Sequence, residues 1–148
     1  MTKDLVFGGA VTFEGFPDAK AVSLPRRARV GDALSKVENI IRSSIVVGRN
    51  EVEKSESLAR TLRRKGIDAE VHNQGVDIVG VGWQAECKWE LCAVNDLYRL
   101  EGQINCYYDG TRTFVVVFGD AKKSMLGNLR DYCNRYRNVN IITLGNVI

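Results

Sequence analysis

The stretch Thr113–Phe118 reads Thr-Phe-Val-Val-Val-Phe, with no alternation of polar and apolar residues. A strand covered on one face alternates. One covered on both faces does not, and such strands belong to sheets with helices on each side. An amphipathic segment follows over Ala121–Tyr136, with Met125, Leu129, Tyr132 and Tyr136 at helical spacing, and a second apolar run over Val139–Leu144. That β-α-β arrangement requires a parallel, right-handed crossover. Upstream lie three short strand candidates, Ile67–His72, Val76–Val81 and Trp83–Trp89, separated by Asn73-Gln74-Gly75 and Gly80-Val81-Gly82. Three successive strands suit an antiparallel meander. The expected architecture is α/β: one mixed sheet flanked by helices.

The remaining elements fill in around this sheet. Gly31–Ser44 is expected as a helix with Ala33, Leu34, Val37, Ile40 and Ile41 on one face, followed by a short strand over Ile45–Val47. Asn50 with Glu53 three residues on reads as a capping box. It opens a helix running to Lys65 and stopped by Gly66, with an apolar stripe of Val52, Ser55, Leu58, Ala59 and Leu62. A further helix is expected near Asn95–Tyr108, with Leu97, Leu100, Ile104 and Tyr107 on its apolar side. Residues 1–30 read as irregular, with a hairpin candidate at Leu5–Phe7 and Ala10–Phe13. The whole is read as one domain over 1–148, with an N-terminal extension over 1–45 and a core over 50–144.

Composition narrows the chemistry. With 148 residues, 45% hydrophobic and 26% charged, the chain can bury a sizeable core and is not of disordered type. No stretch approaches the roughly 20 apolar residues of a membrane span, and Glu14 and the glycines around it interrupt the N-terminal apolar stretch that a signal peptide would need. Cys87, Cys92, Cys106 and Cys133 form no Cys-x-x-Cys pair and are expected as packed or semi-buried thiols of a cytoplasmic protein. The single histidine, His72, excludes two-histidine metal sites. A net charge of +3 permits a polyanionic partner. Basic residues are spread along the chain: Arg26, Arg27 and Arg29; Arg60, Arg63, Arg64 and Lys65; Lys122, Lys123, Arg130, Arg135 and Arg137.

The residues with the strongest chemical signal are Asp77, Glu86 and Lys88. Glu86 and Lys88 lie two apart on a strand and share a face. A hairpin turn centred on Val81-Gly82 pairs Val79 with Gln84 and Asp77 with Glu86. Opposed residues have Cβ atoms about 4.5–5.5 Å apart. Two carboxylates that close need a cation between them, and Mg²⁺ takes one or two carboxylates while keeping several waters. Lys88 beside such an ion could orient a water or stabilise charge on a phosphoryl oxygen. Trp83 and Trp89 share parity with Ala85 and Cys87 and are expected in the core.

The string Val-Asp-Ile-Val-Gly-Val-Gly-Trp-Gln-Ala-Glu-Cys-Lys-Trp-Glu over 76–90 resembles the core of the PD-(D/E)XK, or restriction-endonuclease-like, nuclease superfamily. The αβββαβ order over residues 50–144 is similar to that family's core. Val76 stands where the family name has proline. The resemblance implies Asp77 and Glu86 as Mg²⁺ ligands (Mn²⁺ can substitute), the backbone carbonyl of Cys87 as a further ligand, and Lys88 as the residue beside the attacking water. Many members add a helix glutamate. On a helical wheel Glu51 lies about 40° from the centre of the apolar stripe and Glu56 about 100° away, so Glu51 is favoured, with Glu53 explained by the capping box. Gln103 and Tyr107, at i,i+4, resemble the Gln-x-x-x-Tyr motif of the RecB-like branch, and residues 58–80 are similar to archaeal Holliday-junction resolvases. A segment over 46–73 also resembles part of a SecA-type motor domain, but no Walker A pattern exists to serve it. The expectation is a metal-dependent endonuclease acting on DNA rather than RNA, with a homodimer as a natural way to cut two strands. The alternatives are an RNA-cleaving toxin on the same scaffold, a non-catalytic nucleic-acid-binding module, and a structural subunit of a larger machine.

Overall fold

The computed structural model describes residues 26–72 and 75–148, and the side chains from residue 31 onward. The expected hairpin at Leu5–Phe13 lies outside them. The chain divides into two units, Met1–Asp32 and Ala33–Ile148. The second unit holds all the strands described below.

Helix α1 spans Arg26–Ser43, and in the second unit its residues Val37, Ile40 and Ile41 are buried. Helix α2 spans Glu51–Arg64. Its N-terminus is set by Asn50, whose side-chain oxygen accepts the Glu53 N–H at 2.9 Å. The Glu53 carboxylate reaches one residue further back than a capping box requires, accepting from the Arg49 N–H and guanidinium. Those bonds hold its pKa below the ordinary value. At the other end the Ile67 N–H bonds to Leu62 C=O and the Gly66 N–H to Arg63 C=O, both 3.0 Å. This Schellman closure needs a left-handed residue, supplied by Gly66 at φ 87°.

The sheet follows in the order β1 (Ala69–Val71), β2 (Ile78–Gly80), β3 (Trp83–Lys88), β4 (Arg112–Val117) and β5 (Val139–Thr143). Strands β1, β2 and β3 are antiparallel, while β3, β4 and β5 are parallel. Helices α3 (Val94–Tyr107) and α4 (Lys123–Cys133) make the two crossovers. Among the described residues five strands and four helices thus form a mixed α/β layer structure. Val79 pairs with Gln84, the register expected from a turn at Val81-Gly82. Gly80 is required there, because a Cβ on it would fall inside the Trp83 ring.

Two cores sandwich the sheet. On one face α1 and α2 cover Trp83, Ala85, Cys87, Phe114 and Val116. On the other, α3 and α4 cover Val115 and Val117 with Leu97, Leu100, Ile104, Leu126 and Leu129. β4 is therefore apolar on both faces, as its sequence requires. No described helix is long and apolar enough to cross a membrane.

Several local expectations are corrected. Ile45–Val47 forms no strand. It is extended in sequence character but has no ladder partner among the described residues, and only Val46 packs inward. Val52 is 62% exposed rather than part of the α2 stripe, which runs instead through Ser55, Ser57, Leu58, Ala59 and Leu62. The buried face of α4 centres on Leu126, Leu129 and Cys133, with Met125, Tyr132 and Tyr136 at its flanks. Tyr107 is exposed rather than part of the apolar side of α3, and Cys106 is exposed rather than packed. Trp89 is also out of the core, because β3 ends at Lys88 and the strand parity ends with it.

Candidate metal centre at the β2–β3 edge

The pairing of Ile78 with Ala85 and Val79 with Gln84 places Asp77 opposite Glu86. Glu86 also stands directly across from Val115 on β4. Its side chain is therefore on the sheet face that α3 and α4 cover. Only 1% of Glu86 is exposed, and neither carboxylate oxygen has a hydrogen-bond partner among the described residues. An ionised carboxylate in that setting is costly. Its pKa is accordingly raised to about 9, first by burial, then by the Asp77 carboxyl as a hydrogen-bonding neighbour and a like charge, then by Glu51. Among the described residues no N–H reaches Glu86, and a protonated Glu86 can itself act as donor toward the Asp77 carboxylate.

Strand β2 starts only at Ile78, so the edge of β3 beyond Ala85 has lost its neighbour. Two carboxylates take the open amides. The Cys87 N–H donates to Asp77 Oδ2 at 2.7 Å, and the Trp89 N–H donates to Glu51 Oε2 at 2.8 Å. In extended backbone the N–H and C=O of one residue point to the same edge, so the Cys87 carbonyl also faces this gap. The Cys87 thiol turns instead into the α1/α2 core, where burial pushes its pKa well up. A cavity of about 110 Å³ opens here, lined by Glu51, Val52, Ser55, Val71, His72 and Asp77. It has room for a few waters.

Lys88, 7% exposed, lies on the Glu86 side of β3. Its ammonium is 4.0 Å from Asp96 Oδ1. Asp96 in turn accepts the Ala93 N–H at 3.2 Å, closing the first turn of α3. The helix start thereby fixes the position of the lysine. Sequence reading missed Asp96. The signal was present: an acid three residues after the helix entry is where a side chain reaches back to a free amide.

Gln103 is on α3, half-buried, with a carbonyl oxygen that has no donor among the described residues. The Tyr107 ring lies beside the turn before β2: a Cβ on Gly75 would be 3.8 Å from it. The Tyr107 carbonyl accepts from Gln84 Nε2 at 3.2 Å, which ties the end of α3 to β3. Glu56 is exposed, and Glu53 is engaged with Arg49. Among the helix glutamates, Glu51 is the one that meets the β3 edge.

Could these residues hold a cation? The donors are hard oxygens: Asp77, Glu86, Glu51 and a backbone carbonyl. Glu86 offers two buried oxygens with nothing on them. That donor set fits Mg²⁺ or Mn²⁺. No three His, Cys, Asp or Glu side chains among the described residues are drawn together as a finished cage. This agrees with Asp77 and Glu51 being turned to backbone amides. No protein-family model matches this chain, and neither curated proteins nor solved structures include a match to it.

Proposed function

We propose that this chain is a metal-dependent nuclease of the restriction-endonuclease-like type, hydrolysing phosphodiester bonds of DNA. The observation that carries the reading is Glu86: a fully buried carboxyl without a donor among the described residues, held opposite Asp77 and two residues from a half-tethered lysine. As part of a stability design alone this arrangement is unfavourable, since a carboxyl is buried without a donor and stays neutral only by holding a proton far above its ordinary range. As the half of a site that a cation completes, it is economical. The order αβββαβ from α2 to β4 supports the same reading.

A bound Mg²⁺ would polarise a water and offset charge at phosphorus. Asp77 and Glu86 would hold it through carboxylate oxygens, with the Cys87 carbonyl and Glu51 as further donors. Lys88, steadied by Asp96, presents an ammonium to the attacking water or a non-bridging phosphoryl oxygen. Gln103 has an amide oxygen free to orient a water or substrate group, and Tyr107 stands at the turn that leads into Asp77. A homodimer would bring two such centres to the two strands of a duplex.

The test is incubation with duplex, branched and single-stranded DNA and with RNA, in Mg²⁺, in Mn²⁺ and in EDTA. Cleavage is expected with either metal, lost in EDTA and lost in Lys88→Ala, whose affinity for nucleic acid stays close to that of the wild type. Equal cleavage in EDTA refutes the mechanism. A second reading, a nucleic-acid-binding module without activity, is favoured by the occupation of Asp77 and Glu51 as amide caps. It predicts no cleavage of any substrate and undiminished binding in Asp77→Asn.

A further inference from the structure

Trp89 follows Lys88 directly, yet its ring is not part of either core. It is 36% exposed, whereas Trp83 at the start of the same strand is 2% exposed and packs edge-on against Phe114 at 6.1 Å between centroids. The Trp89 backbone is pinned to the candidate site by the 2.8 Å bond to Glu51. The Lys54 ammonium, one helical turn beyond Glu51 on α2, lies over one face of the Trp89 ring, 4.8 Å from its centroid. An aromatic plane and a cation are thus placed together beside Glu51.

The Lys54 ammonium covers one face of the indole, and the exposed portion of the ring is open to a further contact. Here the neighbouring chemistry specifies the occupant. A nucleobase has a π-face that stacks on an indole, and its own phosphate carries the charge that an adjacent ammonium attracts. A paired base inside a duplex is already stacked on both sides and cannot offer that face. An unpaired base can.

We propose that Trp89, with Lys54, is a stacking platform for an unpaired nucleotide next to the phosphate that the β2–β3 site acts on, so that the preferred substrate is single-stranded or carries unpaired nucleotides. This rests on the nuclease reading and sharpens it to a substrate class. Trp89 is a positioning residue: it acts on where the strand lies and takes no part in bond cleavage.

Tryptophan fluorescence reads the contact without any cleavage. In EDTA, titration with a single-stranded oligonucleotide is expected to quench the emission of the wild type, and a duplex of the same sequence is expected to quench it far less. Trp89→Phe, which keeps an aromatic plane, is expected to lose the quench but retain most of the affinity. Trp89→Ala is expected to bind the single strand about 5- to 150-fold more weakly, the range that removal of one stacked base contact spans. Absence of quenching in the wild type, equal affinity of Trp89→Ala and wild type, or equal binding of single strand and duplex would each overturn the platform. Those outcomes are separate from the metal test. A chain that binds single strands through Trp89 and cuts nothing in Mg²⁺ overturns the nuclease reading and leaves the platform standing.

Discussion

Glu86 makes stability depend on pH in a direction opposite to most carboxylates. Its pKa is about 9 in the folded chain, against 4.5 for the free group. Between those values the folded state holds one proton more than the unfolded state. Stability is then greatest below pH 4.5 as far as this group is concerned, falls as pH rises, and reaches its floor above pH 9. The slope is about 1.4 kcal/mol per pH unit. From pH 5.5 to pH 8.5 the loss is therefore at most about 4 kcal/mol, equivalent to a fall in Tm of roughly 10 °C for a chain this size. Glu86→Gln keeps the shape and removes the titration, so its stability should be flat over the same interval and exceed that of the wild type at pH 8.5. Urea denaturation at three pH values, with and without Mg²⁺, reads both effects. A cation that binds the ionised form should stabilise the wild type most at high pH and release a proton on binding. It should do little for Glu86→Gln. A wild type whose midpoint does not fall with pH, or a variant that follows the same slope, would refute the argument that burial and Asp77 keep this carboxyl protonated.

Three further outcomes follow from the geometry. Glu51→Ala removes the acceptor of the Trp89 amide and a neighbour of Glu86, and should weaken Mg²⁺ binding by calorimetry; Glu56→Ala, on the exposed side of the same helix, should leave it unchanged. Gly80→Ala drives a methyl into the Trp83 ring and should cost about 1–3 kcal/mol in chemical denaturation, more if the turn has to open. Asn50→Ala removes the side-chain cap of α2 and should cost about 1 kcal/mol, while Asn50→Gly costs only a few tenths.

Much of the sheet was legible in the sequence because its signals are local. Unbroken apolar character marked β4, and Val81-Gly82 fixed the β2–β3 register that sets Asp77 across from Glu86. Asn50 and Gly66 marked both ends of α2. The misreadings came where tertiary context overrides pattern. Ile45-Val46-Val47 has strong strand propensity, but a strand exists only if a neighbour takes its amides, and propensity carries no information about neighbours. Alternation points Trp89 inward, but alternation holds only while the strand continues, and β3 stops one residue earlier. Val52 fits the α2 stripe by angle, yet it is in the first turn of the helix and largely exposed to solvent. Lys88 and Asp96 meet because α3 starts where β3 ends, a relation between two elements that neither element's sequence encodes.

The two acids that cap the bare rim of β3 each spend a single oxygen on an amide: Oδ2 for Asp77 and Oε2 for Glu51. Each could therefore offer an incoming ion its remaining oxygen without releasing the backbone, while two-point chelation would compete with the amide bond. A small ion with strict octahedral demands accepts such one-point donors, whereas Ca²⁺ favours larger, two-point carboxylate shells. Were a cation to bind here as proposed, the short β2 would act on its choice of ion: the side chains recruited to finish the sheet would leave Asp77 and Glu51 as one-point donors, a shell that suits the smaller ion.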